Sequence, residues 1–425
     1  MRATRIVTVI LSAGLLVAPA EWRLRAEQSA PAAAVAPAVS ERVARLDRAL
    51  DQYVKDDRVA GLVVLVLRDG KPVYQKAAGW RDRETSSPMR MDTIFRIASQ
   101  SKAITSAAVM MLVEEGRIGL SDPVSRFIPE FARTTVTDAE ADGAIVPAKR
   151  QIQIKDLLTH TSGISYGTEK HIAPLYEAKG LGPAAGAGWY FTDKTEPICA
   201  SIERLATLPF VSQPGEAYVY GYNTDVLGCV VERASGVSLD AFIRTRITGP
   251  LGMTDTHFYL PPAQRDRLAV VYGSTAEGRY ERAPEGPLGQ GAYVDGPRVS
   301  FSGGAGLVST ARDYARFLEM IRHGGVHAGR RLLGSRAVAL MTTNQIGSIR
   351  DTNGLGYGYG FETTDRFGAR DLEATGAFGW GGAYGSSYRV DPAAKLTLVM
   401  MIQLRPNTID LGNRFPTLVY QAFVD

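Results

Sequence analysis

The stretch that decides the fold spans residues 95–116 and reads FRIASQSKAITSAAVMMLVEEG. Between Ala98 and Val113 its single charged residue is Lys102, so the sequence predicts a helix that is buried on most sides and ends near Gly116. A lysine near the N-terminus of such a helix faces the positive end of the helix dipole, and burial disfavours its charge. Lys102 therefore needs compensating neighbours, or it works with a lowered pKa.

Ser99 stands three residues before Lys102, which predicts the same helix face and puts it within reach of the amine. A serine hydroxyl becomes a good nucleophile when a base takes its proton, and a desolvated lysine can be that base. The N–H groups of a helix N-terminus can stabilise an oxyanion. The structural alternative is that Ser99 caps the helix while Lys102 extends its amine to solvent. Ser99 and Lys102 are thus a candidate nucleophile and base.

The composition excludes several classes of protein. The 425 residues are 45% apolar and 22% charged, which describes neither a disordered chain nor a multi-span membrane protein. The formal charge of +4 is not concentrated in a basic run, so no nucleic-acid partner is expected. The five histidines form no HxH or HExxH pattern, and no metal or organic cofactor is implied. Cys199 and Cys229 form no CxxC motif, and one disulfide or two buried thiols both stay open.

The N-terminus has the pattern of an export signal. Arg2 and Arg5 precede an apolar run over residues 6–17, and Ala18-Pro19-Ala20 offers a cleavage site. The run is short for a bilayer span, which needs roughly 20 residues. We expect export to the bacterial periplasm or beyond, without stable membrane insertion. An uncleaved N-terminal anchor is the alternative.

Three segments follow from this pattern. Residues 1–20 are the expected signal peptide, and residues 21–40 are a Pro/Ala-rich tether without helical or strand periodicity. Residues 41–425 form the folded body, which we expect to be one domain.

Strand patterns occur at both ends of the body. Residues 62–67 and 72–77 are predicted strands joined by an Asp-Gly turn, and a helix with apolar residues at 43, 46, 50 and 53 precedes them. Residues 386–390 and 396–403 are predicted strands, and residues 416–423 a closing helix. The middle alternates apolar helices with glycine-rich connections. The sequence predicts an α+β fold, with an antiparallel sheet built from both chain ends, flanking helices and a mostly α-helical insertion lobe.

Three stretches in order resemble one known family. Residues 95–131 (FRIASQSKAITSAAVMMLVEEGRIGLSDPVSRFIPEF), 153–163 (QIKDLLTHTSG within QIQIKDLLTHTSG) and 250–261 (PLGMTDTHFYLP) resemble the serine β-lactamase and penicillin-binding-protein superfamily. The resemblance is closest to its class C β-lactamases and family VIII carboxylesterases, and it covers the body from about residue 41 to the end. It implies a β-lactamase/DD-peptidase-like fold and assigns the S-x-x-K motif of that family to Ser99 and Lys102.

The resemblance also requires a catalytic tyrosine, which the segment PGEAYVYGYNTDVLG at residues 214–228 supplies. Family VIII sequences have the pattern PG-x-x-W-x-Y-S-x-x-x-DVLG. When its PG and DVLG are aligned with residues 214–215 and 225–228, its tyrosine falls on Tyr220. Tyr222 then occupies the position where β-lactamases carry asparagine, and Asn223 comes one residue late. We expect Tyr220 to exchange protons with the nucleophile and Tyr222 to line the substrate pocket.

The Lys-Thr-Gly motif of penicillin-recognising enzymes does not occur in the chain. Trp380-Gly381-Gly382 stands in its place and resembles the family VIII variant. The resemblance implies substrate contacts at these three residues and an oxyanion hole made by the backbone N–H groups of Ser99 and Ala383. Because the lysine that would bind the β-lactam carboxylate is missing, we expect an uncharged ester as substrate.

Together these features predict an exported serine hydrolase that forms an acyl-enzyme, with a small ester as the expected substrate. β-Lactam hydrolysis or D-amino-acid peptide cleavage at the same site is the alternative, and a non-catalytic relative that binds cell-wall fragments is a further one. Ser165 lies in a G-x-S-x-G match, but no buried strand is predicted before it, as an α/β-hydrolase would need. Tyr166, Trp189 and Tyr190 are candidates for the cleft wall, and His160 is expected to be structural.

Overall fold

The computed structural model describes residues 36–138, 143–182, 194–286, 289–351 and 353–424. The expected signal peptide and the first part of the tether lie outside these residues. No helix in the described parts of the chain is long and apolar enough to cross a membrane.

The bounds of the regular elements are as follows. The strands are β1 (Gly61–Arg68), β2 (Lys71–Asp82), β3 (Ser87–Pro88), β4 (Phe95–Arg96), β5 (Thr135–Asp138), β6 (Ala144–Pro147), β7 (Tyr272–Ser274), β8 (Tyr280–Arg282), β9 (Val308–Ser309), β10 (Val326–His327), β11 (Arg330–Arg331), β12 (Leu355–Tyr357), β13 (Glu362–Thr364), β14 (Phe378–Gly381), β15 (Ser387–Asp391) and β16 (Leu396–Met401). The helices are α1 (Ala36–Lys55), α2 (Ser101–Glu114), α3 (Ile154–Leu158), α4 (Ala173–Ala178), α5 (Ile198–Leu205), α6 (Asn223–Ser235), α7 (Leu239–Ile243), α8 (Ala311–Arg322), α9 (Ser335–Thr342) and α10 (Leu411–Phe423).

The main sheet joins the two ends of the chain. Its eight strands are antiparallel in the order β12-β13-β14-β15-β16-β1-β2-β3, so the first strand pairs with the last. Val63 lies opposite Met401, and Leu67 lies opposite Thr397. The predicted α+β fold with a sheet built from both ends is confirmed.

The central strand β1 is apolar on both faces because helices cover both. Leu62, Val64 and Val66 belong to a core with residues of α1 and α10, whereas Val63 and Leu65 belong to a second core with residues of α2 and α8. The unbroken apolar run of the sequence therefore marks a strand between two helical layers. The turn to β2 is the predicted Asp-Gly hairpin, with φ of 52° at Asp69 and 76° at Gly70.

Two helix boundaries differ from the sequence prediction. Helix α1 begins at Ala36, so the last residues of the expected tether are helical. Helix α10 begins at Leu411 and contains Pro416 within it. Leu411 and Phe415 are buried, and their packing offsets the hydrogen bond that a proline removes.

The helical lobe is organised around α2, whose residues from Ser101 to Leu112 are all buried. Helix α6 packs against α2, and α5 packs against α6. A disulfide between Cys199 and Cys229 joins α5 to α6, with 5.2 Å between the Cα atoms. Of the two arrangements that the sequence leaves open, one disulfide or two buried thiols, the structure contains the disulfide.

Candidate active site

Ser99 lies in a short 3-10 turn, Ala98–Gln100, immediately before α2. The sequence prediction placed it on the same helix as Lys102, but α2 begins only at Ser101. Ala98 has a φ of 46°, a left-handed conformation that costs roughly 1–3 kcal/mol in a non-glycine residue. No side chain caps the start of the turn or of α2, so Ser99 is not a capping residue. Its side chain is half-buried and borders a cavity of about 520 Å³.

Lys102 does not extend to solvent, since it is only 1% exposed. Its Nζ donates to the Gly304 carbonyl at 2.8 Å, to the Tyr166 hydroxyl at 3.1 Å and to Ser99 Oγ at 3.3 Å. Burial alone would lower the pKa of Lys102, but Tyr166, Tyr220 and Asp225 outweigh it and hold the pKa above its ordinary value. Of the two possibilities raised by the sequence, the structure contains compensating neighbours rather than a lowered pKa.

The buried carboxylate of Asp225 holds Gly304, whose carbonyl accepts the hydrogen bond from Lys102. Its Oδ1 accepts from Ser302 Oγ at 2.5 Å and from the Gly304 N–H at 3.1 Å. A Cβ on Gly304 would lie 2.4 Å from Asp225 Oδ2, so only glycine permits this approach. Burial raises the pKa of Asp225, and nearby Lys102 opposes that rise. In the sequence, Asp225 sets only the register of the tyrosine motif, although a carboxylate in the first turn of an apolar helix is a signal for such a role.

Tyr220 lies beside both the lysine and the cavity. Lys102 Nζ is 4.8 Å from the centroid of its ring, and the Tyr220 oxygen accepts a hydrogen bond from Trp380 Nε1 at 3.0 Å. Tyr220 borders the cavity together with Ser99 and Trp380. The structure thus brings together the serine, the lysine and the tyrosine that the sequence selected.

Tyr166 is a second phenol at the lysine, whereas the sequence predicts it only for the cleft wall. Burial raises the pKa of Tyr166, with Lys102 opposing in part. Its ring meets the rings of Tyr220 and Tyr222 edge-on, at centroid distances of 5.7 and 4.7 Å. Trp189 and Tyr190, the other wall candidates, lie outside the described residues.

Tyr222 differs in placement from its predicted role in the pocket. It is 2% exposed and packs behind Tyr166, because it stands at the start of α6 with its side chain in the core. It is not among the described residues that border the cavity. Tyr222 therefore supports Tyr166 from behind, whereas Trp380, Gly381 and Gly382 border the cavity, and their contact with substrate stays a prediction.

Asn223 lies one residue after the position expected for asparagine. It connects the segment that carries Tyr166 to the segment that carries Tyr220. Its Nδ2 donates to the carbonyls of Ile164 and Val219, both at 3.2 Å, and lies 3.0 Å from His160 Nδ1. His160 is buried with its ring 4.6 Å from that of Tyr220. Burial, with Lys102 and Arg350 nearby, holds the pKa of His160 well below its ordinary value, so it serves as a neutral packing partner.

The strand end that carries Trp380 closes against the turn that carries Ser99. A Cβ on Gly382 would lie 2.6 Å from the Ile97 carbonyl oxygen, so glycine is needed for this contact. The Gly382 N–H donates to the Ser386 carbonyl at 2.7 Å, which fixes the loop containing Ala383. Ala383 borders the same cavity as Ser99.

Ser165 lies in a turn and not at a nucleophile elbow. Its hydroxyl donates to Glu169 at 2.6 Å and accepts from the Gly167 N–H at 3.0 Å. Helix α3 comes before this segment, where an α/β-hydrolase has a buried strand. Among the described residues, no group of three or more histidine, cysteine or acidic side chains could hold a metal ion.

Comparisons with known proteins identify the family of the chain. Residues 46–417 match the Beta-lactamase family model. An uncharacterized protein of Mycobacterium tuberculosis (strain CDC 1551 / Oshkosh) is 36% identical over 367 residues, which cover 82% of this chain and 87% of that protein. Esterase EstB of Burkholderia gladioli is 34% identical over 372 residues, covering 84% of this chain and 89% of EstB.

A solved structure is similar over nearly the whole chain. It is that of "EstCE1, a hydrolase with promiscuous acyltransferase activity", with a TM-score of 0.75 and 28% identity, covering 92% of this chain and 100% of EstCE1. The family match, the esterase relative and the shared fold lead to one conclusion. This chain belongs to the β-lactamase family, within the serine β-lactamase and penicillin-binding-protein superfamily, and it is a serine hydrolase of the esterase-related kind.

Proposed function

We propose that the protein is an exported carboxylesterase that acts on small esters through an acyl-enzyme on Ser99. The observation that carries the proposal is the pairing of a serine at the cavity with a buried amine: Ser99 borders the cavity, and Lys102 Nζ lies 3.3 Å from its Oγ. The relatives named esterase and hydrolase support the same reaction class.

In the first half-reaction, Tyr220 acts as a phenolate: Ser99 Oγ attacks the ester carbonyl carbon, and the proton of the Ser99 hydroxyl passes to the Tyr220 oxygen. Two neighbouring groups favour negative charge on the Tyr220 oxygen. The Lys102 ammonium lies beside the Tyr220 ring, and the Trp380 N–H donates to the oxygen itself. The carbonyl oxygen becomes an oxyanion, which the backbone N–H groups of Ser99 and Ala383 stabilise. The ester C–O bond then breaks, and Tyr220 returns the proton to the departing alkoxide.

In the second half-reaction, water replaces the alcohol. The water oxygen attacks the acyl carbon while Tyr220 takes a proton from the water. The bond between the acyl carbon and Ser99 Oγ then breaks, the acid leaves, and Tyr220 returns the proton to Ser99 Oγ. Lys102 stays an ammonium throughout, anchored on the Gly304 carbonyl. This assigns the lysine to electrostatic support and the tyrosine to proton transfer.

Export rests on the N-terminal pattern of residues 1–20 and is supported by the disulfide between Cys199 and Cys229, since such bonds persist in oxidising compartments. β-Lactam hydrolysis and D-amino-acid peptide cleavage would use the same serine chemistry. The Trp380-Gly381-Gly382 segment in place of Lys-Thr-Gly favours the ester.

The test compares initial rates on p-nitrophenyl acetate and on a chromogenic cephalosporin, for the mature protein and its Ser99→Ala variant. We expect ester turnover well above cephalosporin turnover, and a loss of about three orders of magnitude or more in the variant. Cephalosporin turnover above ester turnover would replace the esterase assignment with the β-lactamase alternative. Ester turnover that survives Ser99→Ala would overturn the mechanism.

A further inference from the structure

A cluster of charged residues forms one end of the cavity that Ser99 borders. Arg350, Arg370 and Arg389 all donate to the carboxylate of Glu362, and Arg389 also donates to Glu373. Of these, Arg350, Glu362, Arg370 and Arg389 line the cavity. Three guanidinium groups against two carboxylates leave one positive charge in excess. We call these five residues the arginine cluster.

The hydrogen bonds within the arginine cluster are incomplete. Arg370 Nε and Arg389 Nε are buried and have no hydrogen-bond partner among the described residues. Arg350 uses its fork for Glu362 and, at 3.3 Å, for the Gly356 carbonyl, although a guanidinium carries more donors than these two contacts need. The two unpaired Nε atoms are buried, but Arg350 borders the cavity with a partly exposed side chain, and its remaining positively charged donors suit an anionic oxygen ligand.

Arg350 connects the arginine cluster to the reacting groups. Its Cζ lies 5.5 Å from the centroid of the Trp380 ring, and Trp380 Nε1 in turn donates to the Tyr220 oxygen. Its Cζ also lies 5.3 Å from the Tyr218 ring centroid, so aromatic faces hold the guanidinium on two sides. The guanidinium is thereby placed on the Tyr220 side of the cavity.

This placement indicates which half of a substrate the guanidinium meets. In the proposed function, Tyr220 protonates the departing alkoxide, so groups beside Tyr220 and Trp380 face the alcohol half of the ester. We infer that Arg350 binds a carboxylate on the alcohol half, and that the preferred substrates are esters of carboxylate-bearing alcohols. This inference rests on the proposed function and replaces the sequence expectation of an uncharged ester, because a cation from a separate segment lies over the tryptophan.

The experiment compares 3-acetoxybenzoate with 3-acetoxybenzamide, which share the acetyl group and differ in the charge on the alcohol half. We expect kcat/KM for the carboxylate to exceed that for the amide by roughly tenfold, the size of one charge-assisted hydrogen bond. Arg350→Gln should bring the ratio close to one, mainly through KM. Arg350→Lys should keep part of the preference, and Arg330→Gln, at an exposed arginine outside the cavity, should keep all of it.

Inhibition of the unmodified protein provides a test that needs no variant. 3-Hydroxybenzoate should inhibit competitively at a lower concentration than 3-hydroxybenzamide. Equal kcat/KM for the two esters in the unmodified protein, or a carboxylate preference that Arg350→Gln leaves intact in a folded variant, would overturn the inference alone. Hydrolysis of neither ester would overturn the proposed function, and the inference with it.

Discussion

Trp380 Nε1 donates a 3.0 Å hydrogen bond to the oxygen of Tyr220, joining residues 160 positions apart in the chain. An indole N–H can only donate, so the Tyr220 oxygen is the acceptor in this bond. The tryptophan that stands in place of Lys-Thr-Gly therefore contacts the proposed proton carrier directly, and its role extends beyond the shape of the pocket.

Trp380→Phe tests that bond. The substitution keeps an aromatic ring and removes the donor, which should lower kcat on p-nitrophenyl acetate by roughly five- to tenfold, as expected for about 1 kcal/mol. KM should change less than kcat. A variant with the kcat of the unmodified protein would show that the bond does not contribute to proton transfer.

Tyr220→Phe and Tyr166→Phe distinguish the two phenols beside Lys102. Loss of a general acid–base group costs about 10²- to 10⁴-fold, and we expect a loss of that size in kcat for Tyr220→Phe. Tyr166→Phe removes only a hydrogen bond to the lysine and should cost about tenfold or less. Steady-state kinetics on one ester measures both, and the reverse order of effects would transfer the proton-carrying role to Tyr166.

Asp225→Asn tests whether the buried carboxylate organises the lysine. Removing one partner from a buried set of charges costs about 3–5 kcal/mol, and we expect a loss of this size in the free energy of unfolding in urea. Activity should fall as well, because the turn at Gly304 holds Lys102. Asp240→Asn is the control, since Asp240 pairs only weakly with Arg244 at 3.7 Å on the surface. Equal stability for the two variants would contradict this role.

Glu362 makes the stability of the fold sensitive to acid. Burial opposes its ionisation, but Arg389, Arg370 and Arg350 outweigh burial and hold the pKa of Glu362 below its ordinary value of 4.5. The unfolded chain thus takes up this proton first as pH falls. The stabilisation is complete above pH 4.5 and is lost as pH drops through the lower pKa of the folded state.

Glu362→Gln should therefore lower the stability at neutral pH. It should also make the melting temperature of the variant decrease less steeply between about pH 5 and about pH 3. Thermal unfolding across that range measures the slope. The exposed Glu281→Gln variant serves as the control and should keep the slope of the unmodified protein. An unchanged slope in Glu362→Gln would show that another group carries the acid sensitivity.

Removing the disulfide should destabilise the helical lobe. Cys199 and Cys229 are 30 residues apart, and closing a loop of that length restricts the unfolded chain by about 3–4 kcal/mol in the chain-entropy model. Urea unfolding of the Cys199→Ser/Cys229→Ser double variant should show a loss of that order. No loss would mean that the bond does not constrain the unfolded chain.

The sheet and the buried helix that carries Lys102 could be predicted because their signals are local. The apolar run at 62–67, the Asp-Gly turn and the lone Lys102 in an apolar helix each carry their physical reason within a few residues. The register count also selects Tyr220, which the structure has beside Lys102, and its catalytic role stays a prediction.

The missed features depend on contacts between distant segments. Asp225 reaches Lys102 through the turn at Gly304, and Arg350 reaches the cavity by stacking on Trp380. Neither contact leaves a periodic pattern in the sequence. Counting along the motif predicts Tyr222 in the pocket, but the count does not show that the side chain is buried in the core at the start of α6.

The most direct test of the central claim is covalent labelling with a serine-directed phosphonate, followed by intact mass and peptide mapping. We expect a single adduct on the peptide that contains Ser99 and no adduct in Ser99→Ala. An adduct on Ser165, or equal labelling of the Ser99→Ala variant, would contradict the claim that Ser99 is the nucleophile.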